Sequence, residues 1–390
     1  MRTRIILSVA LSCFLFATSQ AQEYNQDAIK ELEKKVDAVS PGSTKFLLTG
    51  YATTGLTLTK DASTFEPTSF SPIFLWKTSD KLFFEGELEM EYEDGELEIG
   101  IEYADISYKL AKNFTVRAGK FLLPYGIFTD RLHAAWINKL PSKPLGFDHG
   151  GVGPTDDVGF EVLGGVQLGN SKATYAFYAV NGPSLMDGSE DPMQAGMLNY
   201  ENLADNNKNK ALGGRIGFLP FTNSLLELGF SGQSSMPGNK ETDYEKTTAF
   251  LYAGDLTYVK GIEQIKGTVD IKAQYNGANV GKANYIDASD STGATTYTFD
   301  NTSNAWFAQL AYRPTMMSNK IVKSFEIAAR YSSIKTPDKS LWADEKTQWT
   351  IGLNYWLSWR TVFKLAYGMD KTPGVSKTEN TFMVNVAMGF

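Results

Sequence analysis

The chain has one cysteine and two histidines in 390 residues. Cys13 falls within the first 21 residues, so the remainder holds no disulfide, no thiol nucleophile and no cysteine metal ligand. Long apolar runs are also missing. After residue 21 no stretch approaches the roughly 18 apolar residues of a membrane-spanning helix. Basic charge is in deficit: 37 Lys and Arg against 44 Asp and Glu leave a net charge of −7, which argues against a nucleic-acid partner. No Gly-rich phosphate loop and no nucleophile–base spacing is present, so no cofactor is expected.

What is present begins with a leader. Arg2 and Arg4 precede an apolar run from Ile5 to Ala17, and Ser19-Gln20-Ala21 has the small residues of a cleavage site. This predicts a signal peptide over 1–21 and a mature chain starting at Gln22. Losing two arginines takes the net charge from −7 to −9. Ala10-Leu11-Ser12 before Cys13 make a poor lipidation box. Residues 22–44 predict a short periplasmic helix and linker. Ile29, Leu32 and Val36 form one apolar stripe, which Ser40-Pro41-Gly42-Ser43 ends. Such a helix serves either as a small coiled coil or as a tethered surface helix.

The most informative run is Lys81 to Tyr103. Leu82, Phe84, Leu88, Met90 and Tyr92 alternate with Glu85, Glu87, Glu89, Glu91 and Glu93. On a strand this makes one apolar face and one carboxylate face. Asp94-Gly95 then suits a two-residue hairpin turn. Folding about that turn pairs Tyr92 with Leu97, Met90 with Ile99 and Leu88 with Ile101. It also sets Tyr103 over Gly86. On the other face Glu93 meets Glu96, Glu91 meets Glu98, and Glu87 meets Glu102. Like charges directly opposite are destabilising, and burying them dry costs several kcal/mol per ion. That face must see water, while the aromatic face must avoid it. Strands of about ten residues, apolar outside and charged inside, are those of a water-filled membrane barrel.

From residue 45 almost to the end the period is two. Sixteen candidate strands follow, near 46–58, 68–77, 81–92, 96–110, 113–122, 157–168, 172–182, 210–218, 224–232, 247–259, 264–275, 304–313, 323–332, 347–357, 359–368 and 380–390. Connections after odd segments are mostly long and those after even segments mostly short, the arrangement of outer loops and periplasmic turns. The expected fold is all-β: a transmembrane antiparallel barrel of about sixteen strands over 45–390. A phase slip near Tyr103-Ala104 predicts a bulge. Phe390 ends the chain on the outward face of the last strand. A terminal aromatic there resembles the signal read by the outer-membrane barrel assembly machinery.

The run Val116-Arg117-Ala118-Gly119-Lys120-Phe121-Leu122-Leu123-Pro124-Tyr125-Gly126 resembles the phosphate-selective porin O/P family, which carries G-K/Q-F-x-x-P-F/Y-G where a strand enters the third exterior loop. The resemblance implies a trimeric porin in outer-membrane lipid, with a third loop folded into the pore. That loop would span 124–157 and contain Arg131, His133, Trp136, Lys139, Lys143, Asp148 and His149. The family's ladder of lysines and arginines leading into the pore has no counterpart here, so the family name does not carry a phosphate substrate with it.

Faces opposite the apolar combs predict the pore lining. Glu85, Glu87, Glu89, Glu91, Glu98 and Glu102 form an acidic wall, with Arg117 beside it. Arg215, Lys266, Lys272, Arg330, Arg360 and Lys364 form a looser basic wall, with strand 11 half-way round a sixteen-strand ring from strand 3. Opposed charged walls favour small polar or charged solutes. The expected function is passive diffusion of such solutes, with no metal site and no catalysis. One rival is an adhesion or structural platform acting through the exterior loops. A second is a hydrolase using the His133 and His149 region.

Overall fold

The computed structural model describes residues 45–390 except Asp94, His149, Asn202, 287–294, Ser376 and Lys377. The predicted signal peptide and N-terminal helix lie outside the described residues. Sixteen strands form a closed antiparallel ring. They are β1 (Lys45–Leu58), β2 (Thr68–Lys77), β3 (Leu82–Glu93), β4 (Glu96–Ala111), β5 (Phe114–Leu122), β6 (Asp156–Leu168), β7 (Ser171–Val180) and β8 (Ala211–Leu219). The second half comprises β9 (Leu226–Ser235), β10 (Ala249–Ile262), β11 (Gly267–Val280), β12 (Asn301–Arg313), β13 (Phe325–Lys335), β14 (Glu345–Trp356), β15 (Thr361–Lys371) and β16 (Glu379–Gly389). Each strand pairs with its sequence neighbour, and β16 closes on β1 from Tyr51↔Gly389 to Leu58↔Phe382. Closure leaves no edge strand, which lipid would not tolerate.

The alternation dictates the two faces. Phe160, Phe177, Phe230, Phe250, Leu310 and Ile327 project outward and are exposed, as a lipid-facing band requires. Their neighbours Glu161, Tyr178, Ser231, Leu251, Gln309 and Ala328 turn inward and are buried. Phe390 stacks on Phe70, with ring centroids 5.6 Å apart, and its backbone N–H bonds the Gly50 carbonyl at 2.9 Å.

The opening hairpin has the predicted register at its tip: Tyr92↔Leu97, Met90↔Ile99, Leu88↔Ile101 and Glu91↔Glu98. The strands meet at Glu93↔Glu96, and Gly95 has φ +84°; Asp94 lies outside the described residues. Below the tip the register shifts between Glu87 and Leu88. Glu87 therefore pairs with Tyr103, not Glu102, and Gly86 with Ala104, not Tyr103. The bulge adds one residue to β4 and takes Glu102 out of the ladder. The ring of Phe84, not Tyr103, covers Gly86. Beyond the bulge β4 also has no ladder partner on its other side among the described residues, since its pairing with β5 begins at Ala104↔Lys120. The tip from Glu96 to Ile101 is exposed throughout.

Connections alternate as the sequence predicts. Residues 78–81, 112–113, 169–170 and 263–266 are short turns, whereas 123–155, 181–210 and 281–300 are long loops.

Candidate functional site

The loop between β5 and β6 (loop 3, 123–155) folds into the lumen. Its entry explains the glycines of the sharp motif. Gly119 has φ +135°, and a Cβ there would lie 2.3 Å from the Ala104 carbonyl oxygen. Gly126 has φ +69° and packs on Gln274 of β11, so a Cβ would overlap that side chain. Gln274 in turn accepts the N–H groups of Ile127 (2.7 Å) and Phe128 (2.8 Å) through Oε1. A single π-helical turn, Phe128–Leu132, follows. Phe128, Phe147 and Phe307 of β12 meet edge to face, with centroids 5.0 to 5.8 Å apart. Leu251, Ala253, Ala278 and Ala305 line the same apolar cluster. On the β10–β12 side the lumen is thus a packed core rather than water.

The other anchors are charged. Lys364 of β15 donates to the backbone carbonyls of Ala135 and, at 2.6 Å, Asn138. Arg330 of β13 donates from Nη2 to the carbonyls of Ser142 (2.8 Å) and Lys143 (3.0 Å) and to Ser142 Oγ (2.7 Å). Both cations are 1% exposed. Lys139 of the loop pairs with Glu326 of β13 at 2.9 Å, and Asn354 donates to both Lys139 O and Glu326 Oε1. Arg131 pairs with Glu227 of β9 at 2.8 Å. Hydrogen bonds to charged groups contribute roughly 1.5–3 kcal/mol each, so this set holds the loop firmly to the β9–β15 wall.

The predicted pore-lining residues divide accordingly. Arg330 and Lys364 face loop 3 backbone rather than open lumen. Arg215 is buried between Asp255 (2.6 Å) and Glu227 (3.0 Å), and Lys272 is paired with Asp270. Arg117 is clamped by Glu161, with Nε–Oε2 at 2.7 Å, and by Glu85 (3.7 Å) and Asp105 (3.9 Å). Two basic assignments are corrected. Lys266 is exposed in the turn before β11, where it has φ +50° and ends a short 3-10 segment. Arg360 lies in the turn before β15, its guanidinium 4.0 Å from the Trp359 ring centroid. Both sit at strand ends, where period two places a side chain correctly only if the strand has already begun. Glu98 is also displaced from the predicted wall. It stands in the exposed hairpin tip.

What remains on the acidic side encloses a cavity of about 80 Å³. Glu89, Glu91 and Glu102 line it from the wall, together with Tyr51, Thr53 and Ser69. Thr129, His133, Lys143 and Asp148 line it from loop 3. Glu87 is 2% exposed and accepts a 2.6 Å hydrogen bond from Tyr51. Lys143 pairs with Asp148 at 2.6 Å. His133 bonds the Thr129 carbonyl through Nδ1, and its Nε2 is buried without a hydrogen-bond partner among the described residues. Burial favours its neutral form. His149 lies outside the described residues. Asp130 pairs with Arg131, and Asp157 accepts the N–H groups of Val158 and Gly182.

Alternation alone could have found Glu161, which neutralises Arg117, but not Asp105, whose inward position follows from the bulge. Ser142, Asn138 and Gln274 carry no sequence signal, because they act through or upon loop backbone.

A closed membrane barrel with a loop folded into its lumen is an outer-membrane channel of the porin class, and its place is the outer membrane of a Gram-negative bacterium. The chain belongs to the family of phosphate-selective porins O and P, whose model matches residues 77–387. Its fold is similar to the outer-membrane channel DcaP of Acinetobacter baumannii, at 15% identity and TM-score 0.55, over 90% of this chain and 99% of that one. It is also similar to an anion-selective porin from Comamonas acidovorans, at 11% identity and TM-score 0.55, over 89% and 100%. The trimer form of OmpT from Vibrio cholerae matches at 11% identity and TM-score 0.53, over 89% and 100%. No protein of curated function matches the chain by sequence.

Proposed function

We propose that the barrel is a passive diffusion channel for small polar solutes, with a modest preference for cations. Its passage runs between loop 3 and the carboxylate wall of β3 and β4. One asymmetry carries this reading. The buried cations of β13 and β15 are turned onto loop 3, whereas Glu89, Glu91 and Glu102 border the cavity on its other side. A passage with low-dielectric walls and a carboxylate lining concentrates cations. The reading departs from the family's name because the cations a phosphate would meet are engaged with loop carbonyls and with carboxylates. It assigns no reaction to the barrel. Purified protein in a planar bilayer under a salt gradient tests it: a cation-signed reversal potential is expected, and an anion-signed one overturns the reading.

The same reading sets three copies side by side in outer-membrane lipid, delivered there by the barrel assembly machinery. The family resemblance and the trimer form of OmpT support it. Cross-linking that traps nothing larger than a monomer in native membranes overturns the trimer. Phe390→Ala should reduce insertion more than an outward change on β11, because Phe390 closes the ring against Gly50 and Phe70.

A further inference from the structure

Loop 3 divides the outer lumen, and a second cavity of about 210 Å³ lies on its far side from the carboxylate wall. Three exterior loops meet there over the lumenal ends of β11, β12 and β13. Its chemistry is the opposite of the first cavity's. Leu198, Val280 and Ile334 supply apolar walls, and Tyr200 and Trp342 supply rings. The neighbouring polar groups are committed to holding the walls together. Trp342 donates from Nε1 to the Ala195 carbonyl at 2.9 Å, Asn301 from Nδ2 to the Gly196 carbonyl at 2.7 Å, and Thr336 to the Trp342 carbonyl at 3.0 Å. Gly196 has φ +88°, and a Cβ there would lie 2.7 Å from the Phe299 ring, so this wall is close-packed.

Among the described residues that line it, Asp344 is the only charged one. Asp344 pairs with Lys346 at 3.1 Å, and the two side chains are 39% and 43% exposed. An exposed pair of this kind is weak and readily exchanged for another cation. A dry cavity of about 150 Å³ suffices for a benzene molecule, and this one is larger. Aromatic walls suit a ring in stacked or edge-on contact and attract a cation over their faces.

The geometry points to a binding site at the exterior mouth for a compact solute that carries one aromatic ring and a protonated amine. The ring sits among Leu198, Val280, Ile334 and Tyr200, and the ammonium replaces Lys346 at Asp344. The site lies across loop 3 from the carboxylate-lined passage, so it stands or falls separately from the channel's selectivity. Its role is to hold such solutes at the mouth before they enter.

Calorimetry on the folded barrel in detergent, with phenethylamine, 2-phenylethanol and phenylacetate as probes, tests the site. Phenethylamine should bind saturably, and phenylacetate about tenfold more weakly or worse, since its carboxylate meets Asp344. Val280 and Ser303 both line the cavity, so Val280→Phe and Ser303→Phe, which fill it, should abolish binding while conductance and heat-dependent gel mobility stay unchanged. Asp344→Asn, a change at the exposed rim, should remove most of the preference for the amine over the alcohol. Should either filled variant misfold, the Asp344→Asn comparison still decides. The proposal is overturned if phenethylamine gives no saturable heat in the millimolar range, if binding survives in both filled variants, or if amine and carboxylate bind alike.

Discussion

The inward faces of β3–β4 and of β13–β15 are both charged, yet the fold uses them differently. Glu89, Glu91 and Glu102 border a cavity. Arg330 and Lys364, equally inward by strand period, are buried against loop backbone and hold it. What an inward charge does in a barrel therefore depends on what the lumen holds opposite it. The lumen opposite Arg330 and Lys364 holds the chain itself. Carbonyl oxygens of an in-folded loop have no strand partner and no bulk water, and an unsatisfied buried carbonyl costs about 1–3 kcal/mol. A buried ammonium or guanidinium has the complementary need, and Lys364 Nζ and Arg330 Nη2 meet it, whereas Arg330 Nε and Nη1 are buried without a partner among the described residues.

The largest expected effect breaks the loop side of this comparison. Replacing both Arg330 and Lys364 by Met removes five donated hydrogen bonds to loop 3. The loop should loosen from the wall, raising single-channel conductance about twofold or more and lowering the temperature at which the barrel loses its compact gel mobility, since each such bond contributes roughly 1.5–3 kcal/mol. Unchanged conductance in a correctly inserted variant would show that these cations do not set the loop's position.

Next comes the carboxylate side. Changing Glu89, Glu91 and Glu102 to Gln should move the reversal potential toward anions with conductance largely kept. Two charges about 5 Å apart repel by roughly 1 kcal/mol in water, and by more near protein walls, so the wild-type patch must condense cations. The difference between wild type and variant should shrink at 1 M salt, where the Debye length is about 3 Å. If the potential does not move at low salt, these glutamates do not border the conducting path.

A smaller effect sharpens the boundary between the two sides. Lys143 lies on the loop but faces the acidic cavity, paired with Asp148. Lys143→Gln should increase cation preference, opposite in sign to the glutamate variant, by removing one cation from the mouth of the passage. A shift toward anions would reverse the assignment. The smallest change is expected at Lys266, which stands in an exposed turn. Lys266→Gln should leave the reversal potential within error of wild type at physiological salt, whereas a clear anion-to-cation shift would return it to the pore wall.

Much of the barrel was legible in advance because a strand has only two faces. Alternation separated Phe250, Tyr252 and Leu256 from Leu251, Ala253 and Asp255, and loop lengths assigned the two ends. Register at the first hairpin was legible too, from Tyr92↔Leu97 to Leu88↔Ile101, because a one-residue slip would have put glutamates in lipid. The same logic failed where a residue departed from the ladder. Glu102 sits in the bulge and loses its expected partner Glu87 although it still lines the cavity, and Lys266 and Arg360 fall just before their strands begin. It also could not say which lumen is wet. Leu251, Ala278 and Phe307 face inward among apolar neighbours only because loop 3 brings Phe128 and Phe147 to them.

The amino-acid sequence by itself determined the strands, their faces and the membrane setting, since each follows from near-neighbour periodicity and local turn chemistry, and a family resemblance supplied the motif at which loop 3 begins. The tertiary structure decided where loop 3 rests and which charges it covers. Those contacts join residues such as Asn138 and Lys364, 226 positions apart, and no local pattern encodes a pairing between a loop carbonyl and a distant lysine.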